Sequence, residues 1–385
     1  MALNAIKNNR KCRCANLKSY VVVLLVLSVV LASCAGPADR VAEGFVQELH
    51  DAAEQRVRDM AEAIAVDPNM GDWQGTWRLD DGSDSGPVVA QVIALGQGKY
   101  RAKFLEEFNE PVPAPAIAKL EGQLEEGKVR FSGPGKSGDF EFTLQAVLEG
   151  QKFAGTFQGQ DFAGSFVMEK VIRLSPTLGA KPPAGAVVLF NGKNFNEWRY
   201  SGNKPGPVKW KLVDKAMEVV PGTGSVISKK EFADIKLHLE FRTPFMPEAR
   251  GQGRGNSGVY LQGRFEVQVL DSYGLEGRDN ECGGIYRVAQ PLVNMCAPPM
   301  QWQTYDITFD PVRFDSTGKK VNDAQMTVLH NGVKIHNSVK VSKATTAAPG
   351  GKITQRGGVY LQDHGNPVQY RNIWVVELPE ERASR

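Results

Sequence analysis

The sequence predicts an all-β protein in which a short helix precedes two β-rich units. Three observations carry this. Apolar and polar residues alternate with a period of two over many short segments after residue 70, which is strand patterning. Gly (40) and Pro (22) are frequent, and they fall between those segments as turn chemistry demands. Asn331-Gly332 separates Met326–His330 from Val333–His336, a hairpin signal because a type I′ turn needs positive φ at both positions. The composition, 42% hydrophobic and 23% charged over 385 residues, is that of a globular chain and excludes a disordered or fibrous one.

Residues 1–33 read as a leader. Lys7, Arg10, Lys11, Arg13 and Lys18 precede the apolar run Val21–Ala32 with no acidic residue on either side. The run is shorter than the roughly 20 residues of a membrane-spanning helix, so it fits the h-region of an export signal. It ends in Leu31-Ala32-Ser33-Cys34, which resembles the bacterial lipobox, where cleavage precedes a Cys that is then acylated. An ordinary signal peptide with a chance Cys is the alternative. Ala35 in the next position resembles lipoproteins sorted to the outer membrane, so the expected location is the bacterial cell envelope, facing the periplasm or the cell surface.

Removing the leader takes away five basic residues and no acidic one, leaving 41 Lys+Arg against 43 Asp+Glu. The formal +3 of the whole chain therefore belongs to the export signal, and no electrostatic case for nucleic acid remains. Cys12 and Cys14 leave with the leader and Cys34 becomes the anchor. Cys282 and Cys296 then stand in an oxidising compartment, which admits a disulfide between them.

After a tether at 34–40, Val41, Phe45, Leu49, Val57, Met60 and Ile64 fall at helical spacing up to Asp67-Pro68, so 41–66 is expected as an amphipathic helix. From 70 to 174 the pattern is β. Pro87–Leu95, Lys99–Leu105, Lys128–Ser132 and Asp139–Leu148 read as strands. The similar pieces Gln74–Trp77, Phe153–Phe157 and Phe162–Phe166 each carry a small residue before an aromatic. A small antiparallel sheet or barrel is expected, with the aromatics as its core. Residues 175–186, with Pro176, Pro182 and Pro183, read as a linker.

The second β unit spans 187–379. Gly258-Val-Tyr-Leu-Gln262 recurs as Gly358-Val-Tyr-Leu-Gln362, and in both Tyr and Gln alternate with Val and Leu. Lys236-His238-Glu240 and Glu266-Gln268 show the same two-faced pattern against apolar neighbours. Four such strands predict a curved antiparallel sheet, apolar side on a second sheet and polar side open, as in a sandwich of the jelly-roll kind.

Gly253-Arg-Gly255-Asn-Ser-Gly258 satisfies the dinucleotide pattern, but a strand follows it where that mechanism needs a helix. No phosphate-binding Gly-Lys-Ser/Thr loop and no Gly-x-Ser-x-Gly elbow is present. In Glu266-Val-Gln268-Val-Leu-Asp271, alternation puts Glu266 and Gln268 on one face roughly 7 Å apart and Asp271 on the other. The spacing resembles the paired-carboxylate strand of laminarinase-type retaining glucanases, with Gln in place of the middle acid and Asp in place of the last. Gln362-Asp-His364-Gly-Asn-Pro367 sets a His just beyond a polar strand face, where its ordinary pKa suits a general base. His330 and His336 flank the hairpin turn and are expected to be structural or solvated. His238 shares a face with Glu240 and is a secondary candidate.

A run of ordered motifs then carries a family resemblance. Leu189-Phe-Asn-Gly-Lys193 with Trp198, Leu239-Glu-Phe-Arg242, Asn256-Ser-Gly-Val-Tyr260 and Phe265–Asp271 are followed by Gly284-Ile-Tyr286 and Pro291-Leu-Val-Asn294. Trp302-Gln-Thr-Tyr-Asp306, Asn331-Gly332 and Leu361–Val368 complete the set. Residues 187–378 resemble the 3-keto-disaccharide hydrolase family, also described as 3-keto-glucoside 1,2-lyase / 3-keto-2-hydroxy-glucal hydratase. The resemblance implies a concanavalin-like jelly roll acting on glycosides already oxidised at C3. The preceding β unit lies outside it, and Cys282 and Cys296 depart from it.

A C3 ketone acidifies the C2 proton, so the implied site needs one base, one acid for the leaving oxygen, and donors or a cation at the developing enolate oxygen. On that reading His364 is base or shuttle and Glu266 its acid/base counterpart. Asn256, Gln268 and Gln362 would position hydroxyls and the carbonyl, with Tyr260, Trp302 and Tyr360 as sugar platforms. Glu240 and Asp271 are candidate ligands for a divalent metal. No dinucleotide-binding pattern survives, so C3 oxidation would fall to a partner sugar 3-dehydrogenase. A non-catalytic carbohydrate-binding lipoprotein, a direct glycoside hydrolase and a structural envelope protein are the alternatives.

Overall fold

The computed structural model describes residues 47, 50, 54–55, 57–61, 66–113, 116–202, 206–349 and 351–379. The leader, Cys34, the tether and much of the 41–66 helix lie outside the described residues. The chain forms two units, 1–59 and 60–385. In the first, the described residues are helical, and Gln55 Nε2 donates to Asp59 Oδ1 one turn on at 2.9 Å. No helix among the described residues is long and apolar enough to cross a membrane. The second unit is all-β and holds a barrel and a sandwich.

Eight strands form the barrel: β1 (Gly71–Leu79), β2 (Ser85–Gly96), β3 (Lys99–Leu105), β4 (Ala118–Glu125), β5 (Lys128–Ser137), β6 (Phe140–Glu149), β7 (Lys152–Gly159) and β8 (Ala163–Val171). Each pairs antiparallel with the next, and β8 closes on β1. Eight strands enclose a bore just wide enough for side chains. The small residue that precedes each aromatic now has a reason. Gly75, Gly155 and Gly164 share the inward face with Trp73, Phe153 and Phe166, and a Cβ on Gly75 would stand 1.9 Å from the Val167 carbonyl across the closing seam. Alternating large and absent side chains let the sheet curl tightly around a few rings. β4, Ala-Lys-Leu-Glu-Gly-Gln-Leu-Glu, is a strand that the sequence reading passes over. Only Ala118 and Leu120 are buried, and its Glu and Lys residues carry no strand preference.

The sandwich begins with β9 (Val187–Phe190), β10 (Trp198–Tyr200), β11 (Lys211–Val213), β12 (Ala216–Glu218), β13 (Val226–Ser228) and β14 (Ile235–Arg242). It continues with β15 (Ser257–Leu261), β16 (Phe265–Val269), β17 (Gln303–Asp310), β18 (Arg313–Phe314), β19 (Lys320–Asn322) and β20 (Ala324–His330). The last strands are β21 (Val333–Val341), β22 (Tyr360–Leu361) and β23 (Gln369–Glu377). One sheet has the order β10-β13-β22-β15-β16. The other runs β11-β12-β23-β14-β17-β20-β21, with β9 also on β23, and β18 pairs β19 separately. Leu237, Leu239 and Phe241 of β14 meet Val259, Leu261, Val267 and Leu361 of the first sheet in one buried core. Asn331 has a φ of 49° and Gly332 of 77°, the two positive values that the Asn-Gly turn between β20 and β21 requires.

The two Tyr-Leu-Gln echoes turn out to be neighbours. β22 lies beside β15 with Tyr260 opposite Tyr360 and Val259 opposite Leu361. One expectation fails at this level: Lys236, His238 and Glu240 belong to β14, on the outer face of the larger sheet, and not to the sheet that carries Glu266 and Gln268. The segment 175–186, expected as a linker, is packed in its first half. Ser175 and Leu178 are buried, Ser175 Oγ lies 2.7 Å from Thr304 Oγ1, and Gly179 N donates to Glu240 Oε1 at 2.6 Å.

Barrel and sandwich share a buried contact. Ile93 points out of β2 into the sandwich core. Asp72 of β1 accepts from the Tyr273 hydroxyl at 2.7 Å and from Arg173 Nε at 2.7 Å. The backbone carbonyls of Ala94 and Leu95 accept from Arg254 at 3.4 Å and Arg250 at 2.9 Å.

Candidate active site

The smaller sheet turns its apolar residues to the core and leaves a polar row on the opposite face. Register sets that row: Tyr260 pairs with Glu266 across β15–β16 and with Tyr360 across β15–β22, and Gly258 pairs with Gln268. The Tyr260 and Tyr360 rings meet edge to face at 5.0 Å. Gln362 Nε2 donates to the Tyr260 hydroxyl at 3.0 Å, that hydroxyl donates to the Ala347 carbonyl at 3.3 Å, and it lies close enough to the Glu266 carboxyl to influence its ionisation.

Glu266 is the electrostatic centre of the face. Its side chain is 1% exposed, and burial pushes its pKa from 4.5 to about 8 against the opposing effect of the Tyr260 hydroxyl. At neutral pH it is therefore a carboxylic acid holding a proton. Its Oε2 is buried without a hydrogen-bond partner among the described residues, as is Asn256 Oδ1. Buried polar atoms are nearly always paired, so two orphaned oxygens on one face mark where a ligand's polar groups would bind. Gly258 makes room for this acid: a Cβ there would stand 2.4 Å from Glu266 Oε1 and 2.7 Å from Tyr260 Cε2.

A second cluster adjoins the first. Asn256 Nδ2 donates to the Gln252 carbonyl at 2.7 Å and to its Oε1 at 3.2 Å, while Gln268 Nε2 reaches the same Oε1 at 3.1 Å. Asn366 Oδ1 accepts from Asn256 N at 2.7 Å. Gln252 thus joins two predicted residues, and sequence reasoning missed it. Its role is a local contact four residues back along an irregular loop, which no periodic pattern reveals. Asn366 and Tyr286, whose backbone N donates to the Glu266 carbonyl at 3.2 Å, were missed similarly. The motifs that contain them were legible, but their orientation was not. The loop carrying Gln252 and Asn256 is held by Arg254, which donates to Asp271 Oδ2 at 2.6 Å and to the barrel carbonyl of Ala94.

His364 stands two residues beyond Gln362, exposed, with no side-chain hydrogen bond among the described residues. Its turn is fixed from both sides: Asp363 accepts from Gly224 N at 2.8 Å and Gly365 N at 2.9 Å. The structure thus brings together Glu266, Tyr260, Tyr360 and Gln362, joins Asn256 to Gln268, and sets His364 in the loop leaving β22.

Three assignments are corrected. Trp302 is buried beneath the other sheet, packed with Leu178 and Ala216 and flanked by Arg371 at 4.0 Å and Arg242 at 4.8 Å from its ring, so it is no sugar platform on this face. Glu240 and Asp271 do not form a metal pair. Glu240 lies on β14, held by Arg371 Nε at 2.6 Å and Asn372 at 2.9 Å, while Asp271 follows β16 and is neutralised by Arg254. Burial alone would raise the Glu240 pKa, but His238, Arg371 and Asn372 outweigh it and bring it to about 2. Among the described residues no three His, Cys, Asp or Glu side chains converge as metal ligands do. Cys282 and Cys296 are neighbouring buried free thiols, not a disulfide: Cys282 Sγ lies 3.2 Å from the Tyr305 hydroxyl and Cys296 Sγ donates to the Leu270 carbonyl at 3.5 Å.

The remaining histidines are structural. His238 Nδ1 sits 2.7 Å from Asp306 Oδ1 and its ring stacks on Trp374, away from Glu266. His330 is fully buried and pushed down to about 3, and His336 Nε2 donates to the Gly283 carbonyl at 2.7 Å.

Residues 185–376 match the family model of the 3-keto-alpha-glucoside-1,2-lyase-like domain. Three solved structures from Parabacteroides distasonis ATCC 8503, each provisionally named a glycosyl hydrolase, are similar. The first is 33% identical, covers 51% of this chain and 85% of its own, and has a TM-score of 0.46. The second is 20% identical over 51% and 94%, with a TM-score of 0.39, and the third 20% over 50% and 99%, with 0.36. No curated protein matches the chain. Through its C-terminal half, where the polar row and its buried acid lie, the chain belongs to the 3-keto-alpha-glucoside-1,2-lyase-like family of glycoside-acting enzymes.

Proposed function

We propose that the sandwich cleaves 3-keto-glycosides by elimination and hydrates the resulting 3-keto-glucal. The observation that carries this is Glu266, a buried acid that holds its proton at neutral pH with one oxygen unpartnered. His364 takes the C2 proton, the electron pair forms the C1–C2 double bond, and the C1–O bond breaks. The leaving oxygen receives the Glu266 proton. The amides of Gln362, Asn256 and Gln268 orient the hydroxyls and stabilise charge on the C3 oxygen, while Tyr260 and Tyr360 border the ring. Water then adds OH to C1 and H to C2, so the net reaction is hydrolysis with no change of oxidation state.

Direct retaining hydrolysis fits less well. It needs two free carboxyls about 5–5.5 Å apart, whereas Gln268 stands beside Glu266, and Asp271 and Asp363 are engaged by Arg254 and by backbone N–H groups. The substrate's ketone would come from a separate sugar 3-dehydrogenase. Export and lipid attachment through Cys34 place this chemistry in the cell envelope, a reading supported by the lipobox-like sequence. Loss of membrane association in Cys34→Ser tests it.

The decisive assay offers the chain a 3-keto-glucoside and its unoxidised parent, with and without chelator, and follows aglycone release. Turnover of the oxidised substrate alone is expected, lowered about 10²–10⁴-fold in both His364→Ala and Glu266→Gln. Unchanged kinetics in both variants, or cleavage of the unoxidised parent at a similar rate, overturns the proposal.

A further inference from the structure

The barrel is closed at one end and open at the other. Where β1 starts, Trp73, Tyr100, Leu148 and Phe153 fill the bore, and the Tyr100 hydroxyl is tied to Asp67 at 3.0 Å. Where β1 ends, the bore opens into a cavity of about 550 Å³, a size that suits a small organic ligand. Its floor is Val88, Phe104, Leu144 and Phe166, all buried. Its mouth is a ring of aromatics: Trp77, Phe140, Phe142, Phe157 and Phe162, joined by edge-to-face and tilted contacts of 5.8–6.3 Å. Phe140 is 66% exposed, unusual for a ring that a folded chain could bury. Trp77, Phe142 and Phe157 pack against the Trp73–Phe153–Phe104–Phe166 core as the sequence leads one to expect, and Phe140 and Phe162 extend the rings beyond it to the mouth.

The charge around this opening is predominantly acidic. Its four loops, 80–84, 106–117, 138–139 and 160–162, carry eight acidic residues and no basic one. Asp84 and Glu106 line the cavity itself. At the strand ends beside these loops, Lys136 is paired with Glu141 at 3.3 Å and Lys119 with Glu276 at 2.6 Å, and Arg78 is exposed, so acids still outnumber bases around the opening. The three loops at the closed end, 97–98, 126–127 and 150–151, carry a single acid. An acidic ring over low-dielectric walls focuses a negative potential into the opening and disfavours an anionic head group. Aromatic faces add attraction for a cation within about 6 Å of a ring centroid.

We propose that the open end of the barrel binds a lipophilic cation, with an apolar body in the cavity and an ammonium-type head at the aromatic and acidic rim. The site is separate from the polar row of the sandwich, which occupies other strands. Calorimetric titration of the full chain with dodecyltrimethylammonium and with dodecanoate, both below their micelle concentrations, tests this.

The cation is expected to saturate at one per chain and to bind at least 10-fold more tightly than the anion at low salt. The gap should shrink as salt rises. Asp84→Asn with Glu106→Gln, two exposed positions, should reduce the preference at least 3-fold, and Ser137→Trp at the mouth should weaken both ligands at least 10-fold. Equal affinity for the two amphiphiles, absence of saturation at one per chain, or affinity for the cation unchanged in both variants overturns the proposal. The last outcome would assign binding to another apolar segment such as 21–32. The paired neutral variant keeps the test decisive should Ser137→Trp fail to fold.

Discussion

Replacing Glu266 with Gln should flatten part of the pH dependence of stability. In the folded chain this acid keeps its proton up to about pH 8, whereas in the unfolded chain it loses it near 4.5. Between those values the unfolded state binds fewer protons, so stability falls as pH rises, and the fall stops once both states are ionised. The difference is about 3.5 pH units at about 1.36 kcal/mol each, or about 5 kcal/mol across the window. Gln keeps the shape and never ionises. Urea unfolding of wild type and Glu266→Gln at pH 5, 6, 7, 8 and 9 reads the effect as a difference. His238, whose pKa burial lowers but Asp306 and Glu240 raise overall, titrates in both proteins and cancels. The variant should gain on wild type by about 1 kcal/mol per pH unit toward pH 8. A difference that stays constant within about 0.5 kcal/mol from pH 5 to 9 would refute the buried-acid argument.

Other outcomes follow from the same geometry. Gly258→Ala should fold yet lower turnover about 10²-fold, because its new Cβ must displace the Glu266 carboxyl or the Tyr260 ring by about 1 Å, and steady-state kinetics will show it. Arg254→Ala should cost about 3–5 kcal/mol in unfolding experiments by leaving Asp271 buried without its partner. It should also lower kcat, since Asn256 sits on the loop that Arg254 holds. Mild oxidation should join Cys282 to Cys296, close a loop of about 15 residues and stabilise the sandwich by up to about 3 kcal/mol, an effect absent in Cys296→Ser and reversed by dithiothreitol.

Much of the site was legible because strand alternation is a local rule. It placed Glu266 and Gln268 on one face, and the Tyr-Leu-Gln echo placed Tyr260, Tyr360 and Gln362 on faces that prove to be shared. The same rule says that a strand has two faces and not which sheet it joins. Lys236-His238-Glu240 has the identical pattern and faces away, because β14 pairs with β17 and β23 instead. Trp302 precedes its strand, where parity gives no orientation, and two arginines cover it. The packed strap at 175–180 was hidden for a related reason. Proline marks where a chain turns, but the docking of Leu178 and Gly179 depends on residues some 40 to 125 positions away. Closure of the barrel needed β4, whose polar composition conceals it.

The hold of the barrel on the candidate-site loop has an evolutionary side. Arg250 and Arg254 reach across to carbonyl oxygens of Leu95 and Ala94, not to side chains. A main-chain acceptor survives every substitution at its own position that preserves the strand. Positions 94 and 95 can therefore change in sequence while the anchor for Gln252 and Asn256 persists, whereas Ile93 beside them is fixed by its burial in the sandwich core. The vulnerable partners in these hydrogen bonds are the two arginines, so mutational sensitivity at this anchor should concentrate on its sandwich side, while Ile93 and Asp72 remain sensitive on the barrel side.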